Sequence, residues 1–438
     1  MKENMTTGKP YIIILEFALP LLLGSVIQNL YNIFDTAIVG HAIGKYALAA
    51  VGNSYVPTLI INSIISGISS GITIFVSQAL GTKEDQQIKK CVGTVQTLIL
   101  SVSCGMAFML GLGARSFFVA MEIPEEIFSD TVTYLQIIAM GVPFLAIYNF
   151  YSAILKGKGN SKLPTLAISF SCVLNIVLDY LFVVSFGFGI KGAAIATIAS
   201  QALAAGIVTR EIWRHDLLKI PFGTEKINMI LRLSITGIFQ NGASALSMFF
   251  IQRIINQYGV NEISAYMAAY KIESFLTMPA ISLGGAVCVF VAQNIGAKDF
   301  ERVRQGLKDS IKLSVGYVAI VITVLWCAAP FLLQLLVGNE PEVINIGVIY
   351  LRIISITFPL CVSLYLMTNF LRGAGEIFYP LFNTILELSV RTIAAFVLSF
   401  YLGFVGVFLC RPFSFIVSTM SLSLRYRSGK WKKGRSEA

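Results

Sequence analysis

The chain has 438 residues, 56% hydrophobic and only 13% charged, with a formal net charge of +10. That balance excludes a soluble globular protein and a disordered one, because no aqueous fold has enough polar surface to cover so many apolar side chains. In so apolar a chain the excess of Lys and Arg reads as a topology signal in a membrane and not as a nucleic-acid footprint.

Apolar runs of about 20 residues, enough to cross a ~30 Å hydrocarbon core as helix, recur from end to end. They predict spans near 11–40, 48–80, 91–112, 131–155, 163–186, 190–210, 229–256, 263–296, 309–336, 344–371, 379–402 and 405–425. Met1 to Lys9 is polar, and the apolar stretch after it is too long for a signal-peptide core and lacks a clear cleavage site. Several spans are longer than the bilayer requires and must tilt, bend or protrude. Pro20, Pro57, Pro143, Pro279 and Pro359 lie inside spans. Each removes a backbone hydrogen bond, so kinks are expected there. Pro20 shares its helix with the first buried acid. Gly67, Gly71 and Gly284-Gly285 predict close helix packing. The seven cysteines stand singly, with neither metal nor disulfide spacing, and read as small packing residues.

The chain is also duplicated. Gly44, Ala50, Gln78, Gly81 and Lys83 match Gly259, Ala265, Gln293, Gly296 and Lys298, each 215 later. Tyr134, Leu135, Pro143, Leu155, Gly157, Gly159 and Pro164 match Tyr350, Leu351, Pro359, Leu371, Gly373, Gly375 and Pro380, each 216 later. The organisation is therefore a six-helix half over 1–210, a polar linker over 211–228, and a second six-helix half with a basic tail over 229–438. Repeated halves of this kind enclose the central path of membrane transporters. Basic residues collect on one side of the spans, at Lys83 to Lys90, Lys156 to Lys162, Arg210 to Lys226, Lys298 to Lys308 and Arg425 to Arg435. The positive-inside rule places both termini and the linker in the cytoplasm, with Trp213 and Trp431 at headgroup level.

Function is expected among intramembrane polar residues, since a charge there is costly unless paired or hydrated. The first half holds Asp35 and Asp179, with Asn175 one turn before Asp179 on the same helical face. At ~1.5 Å per residue, Asp179 lies roughly 24 Å into its span and Thr197 about 10 Å from the start of the next, so their depths coincide. Two carboxylates, an amide and a hydroxyl can bind a proton or a desolvated sodium ion, and like charges at close range favour keeping one proton. The second half offers Glu273, and Glu387 with Arg391 four residues on, spaced to pair on one face. Lys271 and Glu273 are expected to line the cavity or to pair across the halves. Arg352 and Arg411 are expected to snorkel toward a membrane surface.

The stretches Leu19-Pro20, Gln28 to Gly40, Ala49 to Gly52, Gln78 to Gly81 and Leu174 to Tyr180 resemble the multidrug and toxic compound extrusion (MATE) family. The resemblance covers essentially the whole chain and points to the family's DinF-like branch. It implies an all-α integral membrane protein whose twelve transmembrane helices form two pseudo-symmetric six-helix lobes arranged as a V. It also implies efflux of drugs against a proton or sodium gradient by alternating access. Asp35, Asn175, Asp179 and Thr197 match the cation site of that branch, and Pro20 matches the position where the first helix is proposed to bend. The family's NorM-like branch carries an acid in helix 7. Here that helix has Gln240, Asn241, Ser244 and Ser247, so a second-half cation site of that kind is not expected.

An amphipathic cationic substrate calls for aromatic faces and a few polar groups. The candidates are Gln28, Tyr31, Asn32, Phe34, Tyr148, Gln240, Asn241, Tyr270, Glu273 and Glu387. Small organic cations and membrane lipids are the expected partners of a monomeric chain, with no nucleic acid. No cofactor is expected beyond the coupling ion, H+ or Na+, and no metal other than that Na+. A flippase of lipid-linked saccharides, from the same superfamily, is the competing reading, although such proteins carry a cationic cavity. A membrane-embedded enzyme is disfavoured, since His41 and His215 form no His-Glu-x-x-His pattern and no paired catalytic acids stand at a cytosolic face. Direct use of ATP is not expected either, as no phosphate-cradling Gly-x-x-x-x-Gly-Lys run occurs.

Overall fold

The computed structural model describes residues 5–82, 85–121, 123–214, 227–255, 257–376 and 378–432. Their regular structure is helical. The first half contains α1 (Pro10–Ala42), α2 (Lys45–Asn53), α3 (Tyr55–Gly81), α4 (Asp85–Ala120), α5 (Glu125–Gly157), α6 (Lys162–Asp179) and α7 (Gly189–Arg214). A π-helical turn, Tyr180–Ser185, follows α6 directly. The second half contains α8 (Ile227–Ile255), α9 (Val260–Gly296), α10 (Phe300–Val337), α11 (Pro341–Gly373), α12 (Phe378–Leu402) and α13 (Phe404–Arg427). Among the described residues, 11 helical spans are long and apolar enough to cross a membrane. The 29-residue α8 is a further long helix, and Gln240-Asn241 at its centre lowers its apolar character.

One expected span is divided. The stretch 48–80 is two helices, α2 and α3, parted at Ser54, whose N–H bonds back to the carbonyls of Ala50 and Val51. Gly52-Asn53-Ser54, three weak helix formers, stand at the break. The matching Met267-Ala268-Ala269 propagate helix well, and α9 runs through unbroken. The linker expected at 211–228 lies largely outside the described residues, as do Lys83 and the tail beyond Lys432.

The chain packs as two compact units, one of Pro20–Ile238 and one of Met1–Leu19 with Phe239–Ala438. The boundary falls at Pro20, inside α1. Equivalent helices pair in the two halves: α3 with α5 as α9 with α11, α4 with α5 as α10 with α11, and α6 with α7 as α12 with α13. The close approaches repeat as well. A Cβ on Gly157 would meet Val76 Cβ at 2.8 Å and the Thr73 carbonyl at 3.0 Å, and one on the matching Gly373 would strike the carbonyl of Cys288, the match of Thr73. Small residues let membrane helices approach where no hydrophobic drive separates helix from lipid. Thr73 Oγ1 and Ser77 Oγ add bonds to the Ala153 and Gly157 carbonyls, at 3.3 and 3.1 Å.

The N-terminal segment belongs to the second-half unit. Met5 N–H donates to Gln293 Oε1 (2.8 Å), and its carbonyl accepts from Arg302 Nη2 (3.2 Å).

Candidate functional site

Asp179 closes α6 and borders the π turn, the kind of local widening that recurs at functional sites. The turn carries a wide-spaced bond from Phe186 N–H to the Leu181 carbonyl (2.8 Å), and Gly192 of α7 packs on Phe182 within it. Asn175 and Asp179 are both buried. In the amide orientation that satisfies its hydrogen bonds, Asn175 donates to Asp179 Oδ2 (2.6 Å) and accepts from the backbone N–H of Thr197 (3.2 Å). The Thr197 hydroxyl itself donates to Ala193 O (3.0 Å), within its own helix. Thr197 thus joins Asn175 through its backbone.

Asp35 approaches from α1. Its carboxyl lies within hydrogen-bonding reach of that of Asp179. Two carboxyls bond each other only by holding a proton between them. Asp179 Oδ1 is buried and receives no hydrogen bond from any N–H or hydroxyl among the described residues, which leaves it to Asp35 or a cation. Tyr31 comes within reach of the Thr197 hydroxyl. Tyr134 of α5 lies close enough to interact electrostatically with both carboxyls, a neighbour that sequence reasoning registered only as the repeat partner of Tyr350.

Helix α1 is fastened to α6 at Pro20. Thr165 Oγ1 of α6 donates to the Pro20 carbonyl (3.0 Å), and a Cβ on Gly24 would meet Thr165 Cγ2 at 3.2 Å. Of the other first-half candidates, Gln28, Asn32 and Phe34 are exposed on α1, while the Tyr148 hydroxyl donates to Pro164 O (3.1 Å). A separate groove of about 630 Å³ between α5 and α7 is lined by Phe144, Ile147, Arg210, Trp213 and Arg214 among others.

In the second half the charged candidates pair with one another. Arg411 does not snorkel. Its side chain is only 13% exposed, and Nη1 lies 2.5 Å from Glu273 Oε2. That oxygen also accepts from the Tyr350 hydroxyl (2.5 Å), and Arg411 sits over the rings of Tyr270 and Phe415. A buried carboxylate within reach outweighs extension toward water, because leaving either charge buried alone is the costlier state. Arg352 rests over the Trp326 ring at 5.4 Å. Glu387 and Arg391 pair loosely at 3.9 Å, while Arg391 Nη2 donates to Ser247 of α8 (3.0 Å) and Ser414 donates to Glu387 (3.0 Å). Lys271 is exposed, Gln240 is buried, Asn241 is exposed, and Tyr270 stacks on Tyr266.

Two repeated helical halves, with the buried Asp179 and the half-buried Asp35 within reach of each other in the first, define a polytopic membrane transporter. The MatE family model matches residues 20–181 and 233–416, and the chain belongs to this family of multidrug and toxin extrusion transporters. It is 30% identical to the probable multidrug resistance protein YoeA of Bacillus subtilis (strain 168), over 95% of this chain and 93% of that one. A second protein of that organism, the probable multidrug resistance protein YpnP, is 29% identical over 98% of this chain and 97% of its own length. A crystal structure of a MATE protein in complex with MaL6 and a solved structure of a multidrug resistance MATE family transporter in an outward-facing conformation share the fold. Each has a TM-score of 0.91 at 22% identity, covering 99% and 98% of both chains respectively.

Proposed function

We propose that this transporter exports cationic amphipathic compounds in exchange for H+ or Na+ by alternating access, with Asp35 and Asp179 as the coupling carboxyls. The observation that carries the reading is the mutual hydrogen-bonding reach of the half-buried Asp35 and the buried Asp179. The surroundings favour a proton. Asn175 turns its N–H toward Asp179 and its oxygen toward the Thr197 N–H, so the amide meets the carboxylate with a donor, which a sodium ion there would have to face. A proton needs only the carboxyl pair.

Pro20 is the proposed hinge. Its ring removes the donor for the carbonyl one turn earlier, and the Thr165 bond holds the helix on one side of the break. Competition between the coupling ion and a cationic substrate for the same acids makes the exchange obligatory. A one-for-one exchange of cations moves no net charge and is driven by the ion's own gradient; each additional ion carried inward across ~100 mV adds ~2.3 kcal/mol, a further concentration ratio of roughly fifty. Arg210, Trp213 and Arg214 along an apolar groove suit contact with anionic lipid at a cytoplasmic membrane face. The names of the Bacillus relatives support drug substrates, and we place the protein in the plasma or inner membrane with both termini inside.

Ethidium efflux from proteoliposomes, under an imposed pH gradient and separately a sodium gradient, tests the proposal. Gradient-driven efflux that disappears in Asp35→Asn and Asp179→Asn is expected. A folded protein that moves no ethidium under either gradient would count against it and favour a lipid substrate.

A further inference from the structure

The second half carries two arginines and two glutamates that the efflux reading leaves unused. Their places in the repeat are informative, and the structure supports the register. Gly189 and Gly403, 214 apart, stand at the start of α7 and α13 with positive φ of 58° and 61°. Gly192 packs on Phe182, and the corresponding Gly406 packs on Leu398. Ser171 bonds the Ser200 carbonyl (2.6 Å), while their counterparts Glu387 and Ser414 bond each other (3.0 Å).

In this register Asn175 corresponds to Arg391, Thr197 to Arg411, Asp179 to Ala395 and Tyr134 to Tyr350. Helix α8, the counterpart of α1, contains no Asp or Glu. Among the described residues, the first half thus surrounds its site with two carboxyls and no fixed cation. The second half puts guanidiniums at two matching positions and supplies Glu273 and Glu387 from other positions to neutralise them.

We propose that Arg411 is a resident cation. Its guanidinium fills, in the second half, the place that an exchangeable cation takes in the first, and so confines ion exchange to Asp35 and Asp179. Only this last clause rests on the efflux reading. The grip on Arg411 comes from one side: Nη1 meets Glu273 Oε2 and lies 3.3 Å from the Tyr350 hydroxyl. Glu273 Oε1 and Arg411 Nε are buried without partners among the described residues. Tyr270 and Phe415 offer ring faces to the same guanidinium, at 5.8 and 5.5 Å. Cutting the side chain back would therefore leave a carboxylate, a hydroxyl and two ring faces around a guanidinium-sized space, a set of groups that attracts a small organic cation.

The experiment is chemical rescue of the full-length protein in detergent. Arg411→Ala is expected to lower the thermal unfolding temperature. Millimolar guanidinium chloride is expected to raise it saturably, where equal sodium chloride or urea does not. Neither the unaltered protein nor Arg411→Ala combined with Glu273→Gln should respond. Absence of rescue, or rescue that persists without Glu273, would overturn the resident-cation assignment.

A second readout covers the case in which Arg411→Ala does not fold. The neutral pair Arg411→Met with Glu273→Gln keeps the volume and removes both charges. The number of ions exchanged per substrate, read from the substrate gradient at which net flux stops, is expected to match that of the unaltered protein. A fall by one ion would show that the second half exchanges an ion and would sink the proposal. Rescue needs no transport, so its success in a protein that moves no ethidium would discard the efflux reading alone.

Discussion

Asp35 of α1 and Asp179 of α6 bring their carboxyls within hydrogen-bonding reach of each other inside the first helical unit. The contact joins an acid behind a proline break to one at the mouth of a π turn. A proton or cation that enters or leaves this pair acts on both helices at once.

In the proposed cycle, neutralising either acid removes the charge that couples ion to substrate. With a gradient of the coupling ion imposed, Asp35→Asn and Asp179→Asn should each lower the steady ethidium gradient to about one, where the unaltered protein sustains one well above that. Equal gradients in the variant and unaltered proteins would remove these acids from coupling.

Asn175→Leu keeps the volume and deletes the amide that donates to Asp179 Oδ2. A buried oxygen deprived of its donor costs about 1–3 kcal/mol, so thermal unfolding in detergent should begin at lower temperature. Efflux should weaken with it. A variant as stable and active as the original would show that the amide contributes nothing.

Pro20→Ala restores a helical N–H to α1 and separates stability from function. A proline inside a helix costs about 3 kcal/mol, so the variant should unfold no earlier while ethidium efflux slows. Thr165→Val, which removes the bond to the Pro20 carbonyl, should slow efflux without restoring that N–H. Unimpaired transport by Pro20→Ala would locate the hinge elsewhere.

The repeated glycine approaches predict paired effects. Gly157→Val and Gly373→Val each force a side chain against a neighbouring backbone and should destabilise by about 1–3 kcal/mol or more. Gly105→Val, on α4 with nothing within 4 Å of its Cβ direction, is the control and should unfold near the original temperature. Similar losses for all three would show that the close approaches are unimportant.

Arg425 grips both oxygens of Glu376, at 2.9 and 2.8 Å, and lies over the Tyr379 ring. Glu376→Gln strands the guanidinium. Because Arg425 keeps some solvent contact, the loss should fall below the ~3–5 kcal/mol of a fully buried pair. Calorimetry of Glu376→Gln beside Arg425→Met should show the glutamine variant as the less stable of the two. The reverse order would mean that the aliphatic packing of Arg425 dominates.

Most spans were legible in the chain because hydrocarbon thickness sets the length of an apolar run, and that constraint acts locally. The division at Ser54 was legible only in part. Gly52-Asn53-Ser54 signals a weak point, but the same apolar background continues on both sides. The matching of Pro143 with Pro359 and of Gly157 with Gly373 also stood in the sequence, and it led to equivalent helix contacts in the two halves.

By itself the sequence determined the membrane class, the duplication and the one-turn spacing of Asn175 and Asp179, since each follows from composition or from local periodicity. Only the tertiary structure decided that a π turn opens after Asp179, that Tyr134 comes near both acids, and that Arg411 pairs with Glu273 and does not snorkel. These outcomes depend on which helices meet: Gly192 must press on Phe182, and a guanidinium in α13 must find a carboxylate in α9. A charge buried in a membrane is held by its partner, and the partner is a property of the fold.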